Sequence, residues 1–492
     1  MSLDAVIVGA GPNGLAAAVE LARHGLAVTV YEAAATVGGG CRSAELTEPG
    51  AVHDVCSAVH PLAAGSPCFR SWPLAEHGLT WVHPELPLAH PLEGGRAVTL
   101  ERSLDSTADG LGADGAAWRR LVGRLTDGWE ELVPELLRPL LRPPLHPLRF
   151  ASFGASFGPN ALQPARRLAE GRFAGEPARA LFAGLAGHAN LPLERWGTAA
   201  PALVLAAAGH AVGWPSPAGG AQALADALAS YLVSLGGRVE TGRPVRDLAE
   251  LPPAQAVLCD LAPRPFLALA GDRLPPRYRR ALERFRYAAG IFKLDLLLDG
   301  PVPWAAPECG RAGTVHVGGT LAEVAAGEAA VARGELPRRP LVLVAQTSLF
   351  DASRAPAGRQ VLWAYCHAPS GGTADLTEVV EAQIERFAPG FRDRVLSRHR
   401  TTAAALEAYN PNYVGGDVGA GAQDLRQTVA RPVARPTPYR TPVAGLYLCS
   451  ASTPPGGGVH GMCGFHAARA VLADCFGIRR GSRRSDRPRR FA

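Results

Sequence analysis

The sequence predicts an α/β protein made of a Rossmann-type nucleotide-binding domain and a second, α+β domain. Three observations predict this fold class: a glycine motif between a strand and a helix near the N-terminus, an acidic residue after the next strand, and a second glycine-rich loop between a strand and a helix near the C-terminus. With 492 residues the chain can bury the cores of two or three domains. Two loops that serve one nucleotide require the two ends of the chain to fold together.

The first glycine motif occupies residues 9–14 and follows the apolar run Val6–Val8, which is typical of a buried parallel strand. Gly9 allows a tight turn, Gly11 lets the backbone approach a pyrophosphate, and Gly14 lets the next helix pack close to the strand. The alanine- and leucine-rich segment 15–23 predicts that helix. Its N-terminus would direct N–H groups and a positive dipole end at the phosphates.

A second predicted strand, residues 27–31, is followed by Glu32. A carboxylate at this position accepts hydrogen bonds from both ribose hydroxyls and repels a 2′-phosphate. The sequence therefore favours an adenosine without that phosphate.

A second glycine loop follows closely, with three glycines at residues 38–40 and then Cys41 and Arg42. NAD-only domains do not require this extension, whereas an extended FAD can use it. The arrangement resembles the FAD-binding fold of the glutathione-reductase and amine-oxidase type, in the branch that holds amine oxidases and carotenoid desaturases. The resemblance implies a Rossmann-type FAD-binding domain of this type with an α+β substrate domain.

The remaining elements alternate between the two domains. Short buried strands at 256–260 and 442–449, and helices at 224–235 and 465–475, return to the nucleotide domain, while strands at 290–298, 340–350 and 360–367 indicate a second sheet. No second GxGxxG motif lies between a strand and a helix, so we expect no dedicated NAD(P)H domain. We assign residues 1–75, 205–262 and 430–478 to the FAD-binding domain, 76–204 and 263–429 to the substrate domain with a helical part at 110–200, and 479–492 to a disordered arginine-rich tail.

Segment 129–145 interleaves leucines, arginines and prolines. One interpretation is a proline-broken helical hairpin packed on the core, which we favour. The other is an interfacial patch through which an apolar substrate enters from a membrane.

Composition limits the partners and the compartment. The net charge of +6 equals the charge of the tail, 479–492, so the rest of the chain is formally neutral and no nucleic-acid partner is expected. Nine cysteines without a Cys-x-x-Cys pair support neither a disulfide framework nor a metal site. We expect a cytoplasmic protein without a signal peptide or membrane span. A peripheral contact with the inner face of the membrane and the oligomeric state are left open.

The C-terminal loop has three glycines at 456–458, followed by Val459, His460 and Gly461. Backbone N–H groups there can approach a flavin ring and stabilise negative charge on it. With the stretches 49–61, 210–215 and 313–319, this loop gives the chain a resemblance to the phytoene-dehydrogenase-like (carotenoid-desaturase-like) FAD-dependent oxidoreductases, over nearly its whole length. The branch indicated is the bacterial one related to pyridine nucleotide-disulfide oxidoreductase domain-containing protein 2.

The predicted cofactor is FAD. Val245 is included in the predicted FAD site because the resemblance implies that its backbone contacts the adenine. The full set of predicted cofactor-binding residues is Gly9, Gly11, Pro12, Asn13, Gly14, Glu32, Ala33, Gly38, Gly39, Gly40, Cys41, Arg42, Val245, Ser452, Gly457, Gly458, Val459, His460 and Gly461.

Three residues are candidates for catalysis. Lys293 is the single lysine beside 49 arginines, and burial can lower the pKa of an ammonium enough for acid or base chemistry. His460, in the C-terminal loop, and His60 can move a proton near neutral pH. The alternatives for Lys293 and His460 are structural: a strand-edge lysine and a histidine that caps the closing helix.

The expected function is an FAD-dependent dehydrogenase or desaturase that takes hydride from an apolar polyene, isoprenoid or natural product to flavin N5. Oxygen, a quinone or another acceptor would reoxidise the flavin. A flavin-dependent isomerase or reductive cyclase of a polyene, an amine oxidase, and a prenyl- or lipid-binding escort protein without redox chemistry stay open as alternatives.

Overall fold

The computed structural model describes residues 3–145 and 147–478. The predicted disordered tail, 479–492, lies outside the described residues. The strands are β1 (Leu3–Val8), β2 (Val28–Tyr31), β3 (Ser43–Glu45), β4 (Val52–Asp54), β5 (Trp81–Val82), β6 (Leu86–Leu92), β7 (Arg96–Leu100), β8 (Ser216–Pro217), β9 (Arg238–Glu240), β10 (Ala254–Cys259), β11 (Gly290–Leu298), β12 (Ala312–Val317), β13 (Val342–Ala345), β14 (Gln360–Ala368), β15 (Val395–Thr401) and β16 (Leu446–Leu448).

Helices fill the segments between the strands. They are α1 (Pro12–Ala22), α2 (Pro61–Ala64), α3 (Pro67–Arg70), α4 (Leu104–Gly110), α5 (Gly115–Asp127), α6 (Trp129–Leu136), α7 (Pro147–Ala161), α8 (Ala165–Arg172), α9 (Glu176–Gly187), α10 (Ala199–Ala211), α11 (Gln222–Ser234), α12 (Pro263–Ala270), α13 (Pro276–Glu283), α14 (Leu321–Ala332), α15 (Thr377–Glu385), α16 (Ala403–Tyr409), α17 (Leu425–Val429) and α18 (Met462–Cys475).

The first sheet is parallel throughout and has the order β16-β10-β1-β2-β9. Its central strand β1 is fully buried from Ala5 to Val8, because helices cover both faces of a parallel sheet. Strands from the beginning, middle and end of the chain thus meet side by side. The Rossmann-type fold class is confirmed.

The second sheet is mixed and has the order β15-β11-β14-β13-β12-β6-β7. All its neighbouring strands are antiparallel except β12 and β6. One face packs an apolar cluster against α15, where Val380 and Ile384 are buried. Every residue of β11 is buried, which explains why its hydrophobic alternation is imperfect in the sequence. The predicted α+β architecture of the second part is therefore present, and the proposed domain boundaries stay a prediction.

No helix among residues 3–145 and 147–478 is long and apolar enough to cross a membrane. Instead, the large helical region from α4 to α10 packs its apolar side chains into the core that also contains α1, α11 and α18.

The N-terminal and C-terminal helices, α1 and α18, pack at very short range. Gly464 in α18 lies so close to α1 that an added Cβ would fall 1.7 Å from the carbonyl oxygen of Asn13. Atoms this close cannot be accommodated without moving one helix. Gly464 therefore sets the distance between the two ends of the chain.

Replacing Gly464 by alanine tests this packing. We expect Gly464→Ala to lower the free energy of unfolding by about 1–3 kcal/mol, because the helices must separate or strain. Gly171→Ala is the matched control: Gly171 is exposed in α8, and an added Cβ would meet nothing within 4 Å. It should stabilise the protein by about 0.5–1 kcal/mol, the ordinary gain of alanine over glycine in a helix. Urea unfolding curves of the three proteins give the comparison, and equal effects of the two substitutions would contradict this role for Gly464.

Candidate functional site

One cavity of about 1270 Å³ runs between the two sheets. At one end it is bordered by Tyr31–Ala34 and Arg243–Arg246, and at the other by Leu136–Leu140, Phe157 and Leu205. The loops that follow β1 and β16 line its middle. The predicted glycine loops from opposite ends of the sequence therefore share one cavity.

The loop between β1 and α1 needs its glycines for two separate reasons. Gly9 has φ +101°, a left-handed conformation that a side chain disfavours. A Cβ on Gly14 would lie 2.0 Å from the carbonyl oxygen of Gly9, so glycine is required where the helix begins. Pro12 occupies the first turn of α1, where its missing N–H costs nothing. The result is an open backbone loop on the cavity wall, lined by Gly9, Gly11, Pro12 and Asn13.

Glu32 lies at the carboxyl edge of the first sheet, as the sequence predicts. Its Oε2 accepts the backbone N–H of Ala10 at 2.8 Å, and its Oε1 accepts that of Ala34 at 2.9 Å. Arg42 adds an ion pair to Oε1 at 3.0 Å. These bonds hold the carboxylate against the cavity wall, where carboxylate lone pairs remain available to a ligand hydroxyl.

The second glycine loop packs against the first. A Cβ on Gly39 would lie 3.1 Å from Cα of Gly11, and one on Gly40 would lie 2.7 Å from the hydroxyl of Tyr413. Gly39, Gly40 and Arg42 line the cavity. Glycines in this loop therefore make room for neighbouring backbone and for a tyrosine from the second half of the chain.

The C-terminal loop places His460 on the cavity wall, together with Gly457, Gly458 and Val459. The Nδ1 of His460 accepts the backbone N–H of Met462 at 3.0 Å, so the ring proton is on Nε2. Nε2 is buried and has no partner among the described residues. Burial lowers the pKa of His460 to about 4, while the backbone of Gly456 and Gly457 acts to raise it, so at neutral pH the ring is an uncharged hydrogen-bond donor.

His60 presents a hydrogen-bond acceptor, whereas His460 presents a donor. Ser57 Oγ donates to the carbonyl of Gly40 at 2.9 Å, so it accepts from Nε2 of His60 at 3.0 Å. The Nδ1 of His60 is then an unprotonated acceptor, and it is buried without a partner in the described structure. Burial lowers the pKa of His60 to about 4. One neutral acceptor and one neutral donor thus border the same cavity.

Lys293 lies in β11 on the same face of the sheet as the cavity-lining Ile291 and Trp363, and its Nζ is 5.9 Å from the centre of the Trp363 ring, but Lys293 itself does not line the cavity. It forms a buried ion pair with Asp295, which also faces His53 at 3.6 Å and His399 at 3.7 Å. Burial acts to raise the pKa of Asp295, but Lys293 and the two histidines outweigh it and hold that pKa below its usual value. The ammonium of Lys293 is therefore paired with the carboxylate of Asp295. The role of Lys293 in catalysis stays a prediction.

The other predicted cofactor residues divide into two groups. Ala33 and Val245 line the cavity beside Glu32. The rest support the loops from behind without lining the cavity: Gly14, Gly38, Cys41, Ser452 and Gly461. Ser452, for example, donates from Oγ to the carbonyl of Ala420 at 3.0 Å. Their contribution is to hold the loop backbones in position.

Sequence reasoning missed several residues of the wall. Asp260 ends the predicted strand at 256–260, and its position at the carboxyl edge of a parallel sheet was a usable signal. His188, beside Trp214, hydrogen-bonds through Nε2 to His316 at 3.1 Å. Nothing in the local sequence around His188 indicates this position, because strands distant in the chain bring its neighbours together.

The far end of the cavity is apolar. On the sheet side the wall includes Ile291, Leu343, Trp363 and Tyr365, which share one face of β11, β13 and β14. On the helical side it is formed by Leu136, Leu137, Leu140, Phe157, Val204 and Leu205. Arg138 lies among them, paired with Glu135 at 2.9 Å.

Acidic side chains line the cavity only at the end bordered by Tyr31–Ala34, within the described part of the chain. Among the described residues that line the cavity, the only carboxylates are Glu32 and Asp260. Both lie at the carboxyl edge of the first sheet. The far chamber therefore has no negative charge in its described wall that would bind a cation.

Segment 129–145 combines features of both interpretations from the sequence. Leu132 and Val133 in α6 are buried in the main core, as a packed helix requires. Leu140 and Leu141, by contrast, are 49% and 47% exposed. The segment is thus a wall of the cavity that reaches the surface.

The chain is similar to several known proteins. The model of the NAD(P)-binding Rossmann-like domain family matches residues 7–72. Pyridine nucleotide-disulfide oxidoreductase domain-containing protein 2 of Mus musculus is 28% identical over an alignment of 557 residues, which covers 96% of this chain and 93% of that protein. The 4,4'-diapolycopen-4-al dehydrogenase of Metabacillus indicus is 29% identical over 132 residues, covering 25% of this chain and 26% of that protein.

The fold also matches that of a solved structure. A triple mutant of putrescine oxidase has a TM-score of 0.61 with 18% identity, covering 97% of this chain and 99% of that chain. At this identity the likeness concerns the fold alone, and it extends over both sheets.

The ion pair of Lys293 leads to a stability prediction. Lys293→Met leaves the Asp295 carboxylate buried without its main partner, so we expect a loss of about 3–5 kcal/mol in the free energy of unfolding. Adding Asp295→Asn removes the stranded charge and should recover a large part of that loss. Urea unfolding of the two single variants and the double variant measures the coupling. Additive losses would contradict the pairing, and turnover that stays impaired in the stabilised double variant would assign Lys293 to catalysis.

The buried histidines lead to a pH prediction. Burial lowers the pKa of His53, His60, His90, His210 and His460 to about 4. An unfolded histidine titrates near pH 6.5, so the unfolded chain binds more protons between about pH 6.5 and 4. Stability should therefore fall steeply as the pH drops through this window.

Urea midpoints measured across this pH range give the number of protons taken up on unfolding. His210 is the variant to use, because its Nε2 accepts the indole N–H of Trp118 at 3.1 Å far from the glycine loops. His210→Gln should reduce the proton uptake by about one. A flat pH profile of the wild-type protein would show that these histidines are not held neutral.

Proposed function

We propose that this chain binds FAD and oxidises an uncharged, apolar, polyene or isoprenoid-like molecule, and its similarity to FAD-dependent oxidoreductases of the phytoene-dehydrogenase-like and amine-oxidase-like type supports this proposal. The observation that carries the proposal is the cavity between the two sheets, with a polar end beside Glu32 and an apolar far end.

The residues present fit FAD. Glu32 presents a carboxylate anchored for ribose hydroxyls, and the open loop at Gly11 leaves room for a pyrophosphate. Six buried polar atoms without described partners belong to residues of the cavity wall: Oδ1 of Asn13, Nδ1 of His60, Oγ1 of Thr314, Nε1 of Trp363, the hydroxyl of Tyr413 and Nε2 of His460. Buried polar atoms in native proteins are normally hydrogen-bonded, so these atoms support a polar ligand in the cavity.

When bound, FAD accepts a hydride from a substrate and passes two electrons to an acceptor. The residues of this chain have separate tasks around it. The loops at residues 9–14 and 38–42 hold the nucleotide, and the Nε2–H of His460 offers a hydrogen bond to a flavin oxygen. The apolar chamber excludes water and holds the substrate. His60, whose Nδ1 is a free base, can accept the proton that accompanies dehydrogenation.

The absence of a carboxylate in the described wall of the far chamber favours an uncharged substrate over an amine. A paired carboxylate stabilises a buried ammonium, and the described wall of the chamber contains no such carboxylate, although the rings of Trp363 and Tyr365 lie there. An apolar molecule instead gains about 25 cal/mol for each Å² of apolar surface that it buries. The likeness to 4,4'-diapolycopen-4-al dehydrogenase, a protein named for a polyene aldehyde, supports the same substrate class.

We further propose that the substrate reaches the chamber from a membrane surface. Leu140 lines the chamber and is exposed together with Leu141. An apolar molecule has little solubility in water, so an exposed apolar edge beside the chamber supports a peripheral membrane contact on the cytoplasmic side. Oxygen or a quinone would serve as the electron acceptor.

The test is anaerobic mixing of the FAD-loaded protein with a set of polyenes, isoprenoids and primary amines. We expect loss of the oxidised flavin absorbance with an apolar polyene or isoprenoid, and a product with one more double bond or a more oxidised terminal group. Reduction by the amines alone would refute the substrate class. A product formed without flavin reduction or consumption of oxygen or quinone would show an isomerase, and a purified protein that takes up no FAD would support an escort protein.

Glu32 gives a binding prediction that does not need the substrate. Glu32→Ala removes the ribose acceptor and the anchor of two loop N–H groups, so FAD affinity should fall about 10- to 100-fold. Glu335→Ala is the matched control: Glu335 is an exposed glutamate whose carboxylate pairs with Arg333, and neither residue lines the cavity. Quenching of FAD fluorescence gives both dissociation constants. Equal affinities of the two variants would refute the role assigned to Glu32.

A further inference from the structure

Asp260 is placed directly beneath the loop that joins β1 to α1. Its backbone N–H donates to the carbonyl of Val8 at 2.8 Å, which fixes the residue at the carboxyl edge of the first sheet. Its side-chain Oδ2 accepts the backbone N–H of Gly14 at 2.9 Å. The carboxyl group thus occupies one of the free N–H groups at the start of α1, where an anion is favoured.

This carboxyl group lies against the part of the loop that a pyrophosphate would approach. An added Cβ on Gly11 would fall 2.6 Å from Oδ2, and one on Gly9 would fall 3.2 Å from the Cβ of Asp260. Asp260 also lines the cavity. A dinucleotide in this cavity would therefore bring its phosphates close to an acidic side chain.

The surroundings of Asp260 disfavour its charge. Burial is the largest influence and raises the pKa of Asp260 to about 7; the Gly14 N–H acts to lower that pKa, and the Glu32 carboxylate across the loop raises it. The thiols of Cys259, Cys449 and Cys463 are the other titratable groups around it. Within the described parts of the chain, no arginine, lysine or histidine forms an ion pair with this carboxylate.

A pyrophosphate makes this environment more negative and drier. The pyrophosphate would bring two negative charges into the cavity and would exclude solvent from the part that Asp260 lines. Like charges at close range in a medium of low dielectric repel each other strongly. A carboxylic acid avoids that repulsion, and its O–H can donate a hydrogen bond, which a carboxylate cannot.

We propose that Asp260 binds the cofactor as the neutral carboxylic acid, so that the binding of a dinucleotide pyrophosphate takes up one proton on this side chain. This inference rests on the proposed function, because FAD is the dinucleotide assigned to the cavity. It makes Asp260 a cofactor-binding residue, in addition to those that the glycine motifs indicate. Binding then weakens as the pH rises, since at high pH the free protein has lost the proton that the complex requires.

Isothermal titration of the apoprotein with FAD at pH 8 tests the proposal. The same titration in buffers of different ionisation enthalpy gives the number of protons exchanged. We expect the wild-type protein to take up about one proton per FAD, and its dissociation constant to rise about tenfold between pH 8 and 9. Asp260→Asn keeps the shape and an oxygen for the Gly14 N–H but cannot titrate, so it should bind FAD without proton uptake and with a flat pH dependence.

Asp417→Asn is the matched control. Asp417 is also a buried carboxylate with a raised pKa that accepts backbone N–H groups, from Ala288 and Gly421, but it does not line the cavity. This variant should keep the proton uptake of the wild-type protein. If a variant does not fold, the infrared difference spectrum of the wild-type protein with and without FAD replaces it, and the signal of a new protonated carboxyl group is expected.

The outcomes separate the inference from the proposed function. FAD binding without proton uptake, or with equal uptake in Asp260→Asn, would overturn the inference and leave the proposed oxidoreductase intact. Failure of the wild-type protein to bind FAD at any pH between 6 and 9 would overturn both.

Discussion

The close contact between α1 and α18 is the constraint on which the rest of the structure depends. These helices come from opposite ends of the chain, and Gly464 allows the backbone of one to touch the backbone of the other. The parallel sheet also brings the two ends of the chain together, because β1 and β16, from opposite ends of the sequence, both flank β10. Only with this contact do the N-terminal glycine loops and the C-terminal loop at 456–461 border one cavity. The cavity is therefore a property of the whole chain and not of either terminal motif.

Removal of water governs the chemistry of the groups around this cavity. His60 and His460 are both buried and neutral, yet one presents a bare nitrogen and the other an N–H, because each uses its second nitrogen in a local hydrogen bond. Asp295 is buried too but keeps its charge, since Lys293 is beside it. Asp260 has no such partner in the described structure. The same burial thus yields a base, a donor, an ion pair and an acid of raised pKa, according to the neighbour that each side chain meets.

The nucleotide end of the cavity was predictable because its information is local. The motif at residues 9–14, the acidic Glu32 and the loop at 38–42 each combine a turn with a strand end, and their residues lie close in sequence. By contrast, the rarity of lysine in the sequence did not reveal that Lys293 is paired with Asp295, two residues away on the same strand, or that it lies beside Trp363 without lining the cavity itself.

The sequence by itself determined the fold class and the positions of the glycine loops at residues 9–14 and 38–40, because glycine geometry and hydrophobic periodicity act over a few residues. Only the tertiary structure decided which side chains share the cavity, which nitrogen of each histidine carries the proton, and that the far chamber has no carboxylate in its described wall. Those properties depend on distances between segments hundreds of residues apart, such as the 2.9 Å between Asp260 and Gly14. A linear sequence does not contain such distances. Together with burial, they decide whether a side chain is charged or neutral.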